Sequence, residues 1–241
     1  MLDHLKNENI LFLDIETVPV KPSFDEVEEP FKTLWDKKSA YFRKDDQTAA
    51  DTWERAGIYA EFGKIICISV GMLYQNDGKM HLRIKSFFGD DERALLEEFS
   101  TMLTGYSRKK TLELCAHNGK EFDFPYISRR MLVNGLPLPA VFDTAGKKPW
   151  EVNFIDTLEL WKFGDYKHYT SLNLLTALFG IPTPKDDIDG SMVAEVYYIE
   201  KNLRRIVTYC EKDVIAVAQL LLRYKGQELL LSENIETVTP E

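Results

Sequence analysis

Ile10-Leu-Phe-Leu-Asp-Ile-Glu16 is the stretch that decides the fold. Its apolar run stops abruptly at Asp14, the pattern of a buried strand that delivers acidic residues at its end. Residues i and i+2 of a strand point to the same side, so Asp14 and Glu16 face one site. Taken alone, the pattern also describes a strand ending in a plain polar turn.

Outward from this stretch, residues 1–9 are charged and hold no apolar core of a leader, so no secretory signal is expected. Residues 20–63 form a polar segment with Pro22, Pro30 and an acidic cluster at 25–29. It is too long for a plain loop and reads as an insert with its own helices, one part lying near 48–61. Its aromatics, Phe24, Phe31, Trp35, Tyr41, Phe42, Trp53 and Tyr59, interleave with lysines. They fit either base stacking or packing of the insert onto the domain.

Residues 64–74 are a β-branched strand, Asn76-Asp-Gly78 a turn, and 80–88 its hairpin partner. Apolar residues at 95, 96, 99, 102 and 103 give a helix over 90–103. A strand at 111–116 precedes a helix at 122–133, closed by Asn134-Gly135. A fifth strand covers 152–157, and helices follow at 171–179, 189–201 and 202–225. The tail, about 232–241, reads as frayed. The order predicts one α/β domain over 1–241, a mixed five-stranded sheet flanked by helices.

Composition bounds the function. The 241 residues carry 30 Lys+Arg and 39 Asp+Glu, a net charge of −9. That argues against a polybasic nucleic-acid coat, but not against a nucleic-acid enzyme, because net charge averages over patches. Arg108-Lys109-Lys110, Arg129-Arg130, Lys147-Lys148 and Arg204-Arg205 fit either a groove flank or solvated faces. Cys67, Cys115 and Cys210 lie in apolar stretches without C-x-x-C spacing. They read as buried free thiols of a reducing compartment, and a cytoplasmic location is expected. Four histidines make a Cys/His zinc site unexpected. No apolar run is long enough to span a membrane. No G-x-x-x-x-G-K-[ST] or G-x-G-x-x-G motif supports a nucleotide-binding enzyme.

Three places hold acids where a solvated surface acid would not sit. The first is Asp14 with Glu16. The second is Asp123 in Ala-His-Asn-Gly-Lys-Glu-Phe-Asp-Phe-Pro, residues 116–125, at the start of a helix; helix capping explains it equally when taken alone. The third is Tyr209 with Asp213, which i,i+4 spacing puts on one core-facing helix face. A buried Asp needs a partner or a metal. Four converging carboxylates would repel one another, and hard divalent cations are the usual resolution.

These motifs, in this order, resemble the three exonuclease motifs of the DEDD superfamily of 3′–5′ exonucleases, in the Tyr-containing (DEDDy) subgroup. The likeness is to the proofreading exonuclease domain of family B DNA polymerases and the stand-alone predicted exonucleases related to it. It spans roughly residues 8–224. The resemblance implies a ribonuclease H-like fold and a two-metal-ion release of nucleoside 5′-monophosphates from the 3′ end of DNA, single-stranded or frayed. It implies two Mg²⁺ or Mn²⁺ ions. Asp14 would bridge both, Glu16 and Asp213 would hold the first, and Asp123 the second. Glu16 would also contact the 3′-hydroxyl, and Tyr209 would orient the attacking water. Asn118 and Phe122 match positions near the substrate strand, and Thr17 would offer its backbone N–H to the 3′ end. Glu121 departs from the pattern, standing where many family B polymerases carry Asn; this bears on substrate preference rather than on the chemistry. Asp156 reads as a supporting or capping residue, and Lys167 and His168 as a polar turn able to touch phosphate.

The expected partner is nucleic acid, DNA favoured over RNA, with no membrane. The alternatives are a 3′–5′ exoribonuclease or a non-enzymatic nucleic-acid-binding module with the same fold. A haloacid-type phosphatase would need D-x-D after the first strand and would leave Tyr209 and Asp213 without a role.

Overall fold

The alternation of β1 (Ile10–Pro19) sorts the interior into two faces. Leu11, Leu13 and Ile15 enter a cluster with Leu95, Phe99, Phe124 and Ile127. Ile10 and Phe12 enter another, with Val214, Val217 and Leu221. Period-two side-chain placement therefore requires helices on both sides. Phe12 is fully buried, and its truncation to Ala is worth about 3–5 kcal/mol.

The computed structural model describes residues 2–108, 111–165, 169–182 and 188–240. After β1 come α1 (Phe31–Ser39), β2 (Gly63–Asn76), β3 (Lys79–Phe88), α2 (Glu92–Ser107) and β4 (Glu113–Ala116). Then follow α3 (Asp123–Val133), β5 (Ile155–Asp156), α4 (Thr157–Lys162), α5 (Leu172–Leu178), α6 (Val193–Tyr198), α7 (Leu203–Tyr224) and β6 (Ile235–Thr237). The sheet runs β5-β4-β1-β2-β3-β6. β1 and β3 are antiparallel to β2, and the β1–β4, β4–β5 and β3–β6 pairs are parallel. Helices α2 and α3 cover one face and α7 the other. Among the described residues no helix is long and apolar enough to cross a membrane.

The structure corrects several expectations. β1 does not end at Asp14. Main-chain pairing continues to Pro19, with Asp14 opposite Ser69, Glu16 opposite Cys67, and an irregularity between Glu16 and Thr17. Backbone pairing is indifferent to side-chain polarity, so the acids sit inside the strand, in the row that faces α7. A bulge directly beyond them re-aims the chain.

The sheet has six strands, not five, because the tail is not frayed. β6 lies against β3, Arg83 Nε meets Glu236 Oε1 at 2.7 Å, and Val238 N donates to Ile84 O at 2.8 Å. Without it, β3 would present an unpaired edge. The fifth strand is only two residues long, because Asp156 caps α4 and turns the chain helical at Thr157. Helix α6 is likewise shorter than expected.

The insert packs its two tryptophans, while Tyr41 and Phe31 stay exposed. Trp35 and Trp53 are buried edge to face, 5.4 Å between centroids. Their indole N–H groups donate to Ala49 O and Lys21 O, both at 2.9 Å. That leaves these rings no face for a base.

Candidate active site

Asp14 and Glu16 extend the row begun by Ile10 and Phe12, so they meet the same helix. One oxygen from each carboxylate and Cys210 Sγ of α7 lie within 4.8 Å of one another. The Cys210 thiol donates to Asp14 Oδ2 at 3.3 Å and to Asp14 O at 3.4 Å. Burial holds the Asp14 carboxyl well above its ordinary range, and Asp213, Asp123 and Glu16 push it further. Glu16 is raised the same way, by burial first and then by Asp213, Cys67 and Asp123. Asp14 keeps some surface open to solvent, whereas Glu16 is buried.

Asp123 opens α3 on the other side of the strand. Its Oδ1 accepts from Ile15 N at 3.1 Å. Burial pushes its carboxyl up to about 7, although its own backbone N–H and that of Ile15 pull the other way. Asp213, one helical turn beyond Tyr209, acts electrostatically on Asp14, Glu16 and Asp123. Asp123 and Asp213 are thus near enough to act electrostatically on Asp14 and Glu16, while the tight group within 4.8 Å is Asp14, Glu16 and Cys210.

The surroundings hold Asp123 in place. Asn118 takes a left-handed conformation (φ 62°). Asp156 accepts from Asn118 N at 2.9 Å and Lys120 N at 3.1 Å, and also from Leu158 N at 2.9 Å. One buried carboxylate thus pins the turn before α3 and caps α4. His117 bridges Thr157 Oγ1 (2.9 Å) and Thr170 O (3.1 Å), and burial lowers its pKa. Both ring nitrogens are thus held by the fold.

Around the cluster, Thr17 and Phe122 line a pocket of about 440 Å³ that opens onto Glu16. Phe122 also leans on Tyr126, 5.4 Å between centroids. Tyr209 is half-buried on α7, against the apolar group of Val18, Ile66 and Ile206. Lys167 and His168 lie outside the described residues.

Two groups were not picked out from the sequence. Cys210 was read as a plain core thiol, yet it stands among the carboxylates; its place directly after Tyr209 was the available signal. Tyr169 is exposed and stands edge-on to His117, 6.5 Å between ring centroids; its phenol is pushed up by burial and then by Asp156, Asp123 and Asp213.

A mixed sheet of order β5-β4-β1-β2-β3-β6 with helices on both faces is a ribonuclease H-like α/β fold. The chain shares it with the structure of the family B DNA polymerase from the hyperthermophilic archaeon Pyrobaculum calidifontis. That match has a TM-score of 0.50 at 15% identity, covering 89% of this chain and 24% of the polymerase. The chain belongs to the family described as predicted 3′–5′ exonucleases related to the exonuclease domain of PolB, which it matches over residues 58–237. Asp123, Tyr209 and Asp213 fall within the matched residues; Asp14 and Glu16 precede them.

Proposed function

We propose that this protein is a metal-dependent 3′–5′ exonuclease that releases nucleoside 5′-monophosphates from the 3′ end of DNA, single-stranded or frayed. The convergence of Asp14, Glu16, Asp123 and Asp213 carries this reading. Buried and half-buried carboxylates gathered at one place are an oxygen donor set suited to Mg²⁺ or Mn²⁺. Asp14 would serve two ions, Glu16 and Asp213 the first, Asp123 the second. Two such ions, when bound, offset the charge that develops on the phosphate and make water more acidic.

The chain's own groups supply orientation. Tyr209 is assigned to hold the attacking water in line; a phenol donates or accepts a hydrogen bond without competing strongly for metal. Glu16 and the Thr17 N–H hold the terminal 3′-hydroxyl. Phe122 supports the terminal nucleotide, and Asn118 stands beside the strand. Asp156 keeps Asp123 on target through the 118–120 turn.

The test uses 5′-labelled single-stranded DNA, duplex DNA and RNA with Mg²⁺, Mn²⁺ or EDTA. The expected result is a ladder shortening from the 3′ end, fastest on single-stranded DNA and abolished by EDTA. Asp14→Ala and Asp213→Ala each lower the rate by about 10²–10³-fold or more, the loss typical of removing charge stabilisation at a reacting centre. Turnover by Asp14→Ala equal to wild type sinks the metal assignment.

A further inference from the structure

The pocket beside Glu16 has three sides. One is made by Thr17 and Phe122, already placed at the site. A second comes from Gly190, Ser191 and Ala194 around the start of α6. The third comes from the insert: the 3-10 segment Ala50–Ile58 contributes Glu54, Arg55 and Ile58. Glu54 and Arg55 precede the residues matched by the exonuclease family.

This wall is fixed in position. A Cβ at Gly57 would stand 3.2 Å from the Val18–Pro19 backbone, so glycine lets the segment lie directly on β1. Tyr126 of α3 donates its hydroxyl to Gly57 O at 2.7 Å. Arg55 lies on the Phe42 ring, 4.4 Å to the centroid, and has no ion-pair partner among the described residues. Among the described residues it is the one cation lining the pocket. A guanidinium seated on a ring has its stem ordered while its N–H donors remain available.

The dimensions fit one nucleotide. About 440 Å³ lies within the range of small-ligand sites. From Glu16 to Pro19, against which Gly57 packs, the strand advances about 10 Å. That is the reach of a nucleoside from its phosphate to the far edge of its base. A nucleotide with its phosphate at the carboxylates would find Arg55, Ile58 and Phe122 in the lining of the same pocket.

We infer that the insert forms the outer wall of a slot for the unpaired 3′-terminal nucleotide, and that Arg55 hydrogen-bonds the base in it. The inference rests on the exonuclease reading for the identity of the ligand. It turns the insert into a substrate-binding element.

Two short single-stranded oligonucleotides test it, identical except that one ends in deoxyguanosine and the other in an abasic residue. Kinetics with Mn²⁺ and binding by fluorescence anisotropy with Ca²⁺ are compared. Wild type binds the deoxyguanosine end about tenfold more tightly than the abasic end, the scale of one base contact. Arg55→Ala raises KM about tenfold on the deoxyguanosine end with kcat within about twofold, and changes nothing on the abasic end. Arg55→Lys restores part of the loss. Equal behaviour of Arg55→Ala and wild type on both ends, or equal impairment on both, overturns the assignment. Equal binding of the two ends by wild type overturns the slot itself. Absence of any shortening by wild type, with the Ca²⁺ binding pattern intact, counts against the nuclease reading and leaves the slot standing.

Discussion

Asp14, Glu16 and Asp123 are costly residues where the fold puts them. Each carboxyl is raised first by burial and then by neighbouring acidic groups, Asp123 to about 7 with Asp156 and Asp213 as its neighbours. A carboxyl with a native pKa above its unfolded value binds more protons folded than unfolded. Its stabilising contribution is present below the unfolded pKa, near 4, and is lost as pH rises through the native one. For Asp123 that window runs from about 4 to about 7. EDTA-treated protein should therefore melt at lower temperature at pH 8 than at pH 5, by a few kcal/mol of stability. Mn²⁺ should raise Tm more at pH 8 than at pH 5, because ligands must be deprotonated to bind. Asp123→Asn should flatten the fall seen without metal. A Tm that is level from pH 5 to 8 in EDTA, for wild type and variant alike, contradicts the cluster. Tyr209→Phe tests a different property. It removes one hydroxyl while leaving the carboxylates, so kcat should drop about tenfold or more while Mn²⁺ stabilisation of Tm is retained. Undiminished kcat removes Tyr209 from the mechanism.

At the scale of elements, one buried side chain ties the turn before α3 to the start of α4. Asp156 takes hydrogen bonds from the backbones of Asn118, Lys120 and Leu158. Asp156→Ala loses a helix cap and orphans two further N–H groups, at a cost of about 2–4 kcal/mol. Urea unfolding should show it as a lower midpoint at unchanged slope, with Asp156→Asn recovering part of the loss. A midpoint equal to wild type would mean that the turn finds other partners. The same residue explains where the sequence was legible. The acid row of β1 followed from the i,i+2 rule, and α2, α5 and α7 start one residue after Asp91, Ser171 and Asn202, whose side chains cap them. These are local signals. The two-residue β5 was overdrawn because Asp156 serves α4 and a turn 38 residues earlier. β6 was missed because a polar tail becomes a strand only when β3 offers an edge. Convergence of Asp14 with Asp213 is just as non-local, and motif order supplied what periodicity could not.

The whole molecule carries a net charge of −9, and among the described residues two of its basic pairs have a member engaged within the fold. Arg130 is buried in an ion pair with Glu92, and Arg204 lies over the Phe88 ring, 4.5 Å to the centroid. Four of the acids belong to the site, and two divalent ions would offset their charge. Grip on the substrate is then confined to the metals and the adjoining slot, with few phosphates held along the strand. Each phosphate contact to single-stranded nucleic acid contributes about −0.7 to the slope of log K against log salt. About three contacts give a slope near −2, so binding of single-stranded DNA with Ca²⁺ should weaken roughly 15-fold between 50 and 200 mM KCl. Anisotropy titrations at four salt concentrations measure the slope directly. A value steeper than about −5 would require some seven contacts, and hence a basic surface engaged far from the carboxylates. A shallow slope leaves the local charge of the metal-loaded site as the main electrostatic attraction on an otherwise acidic protein.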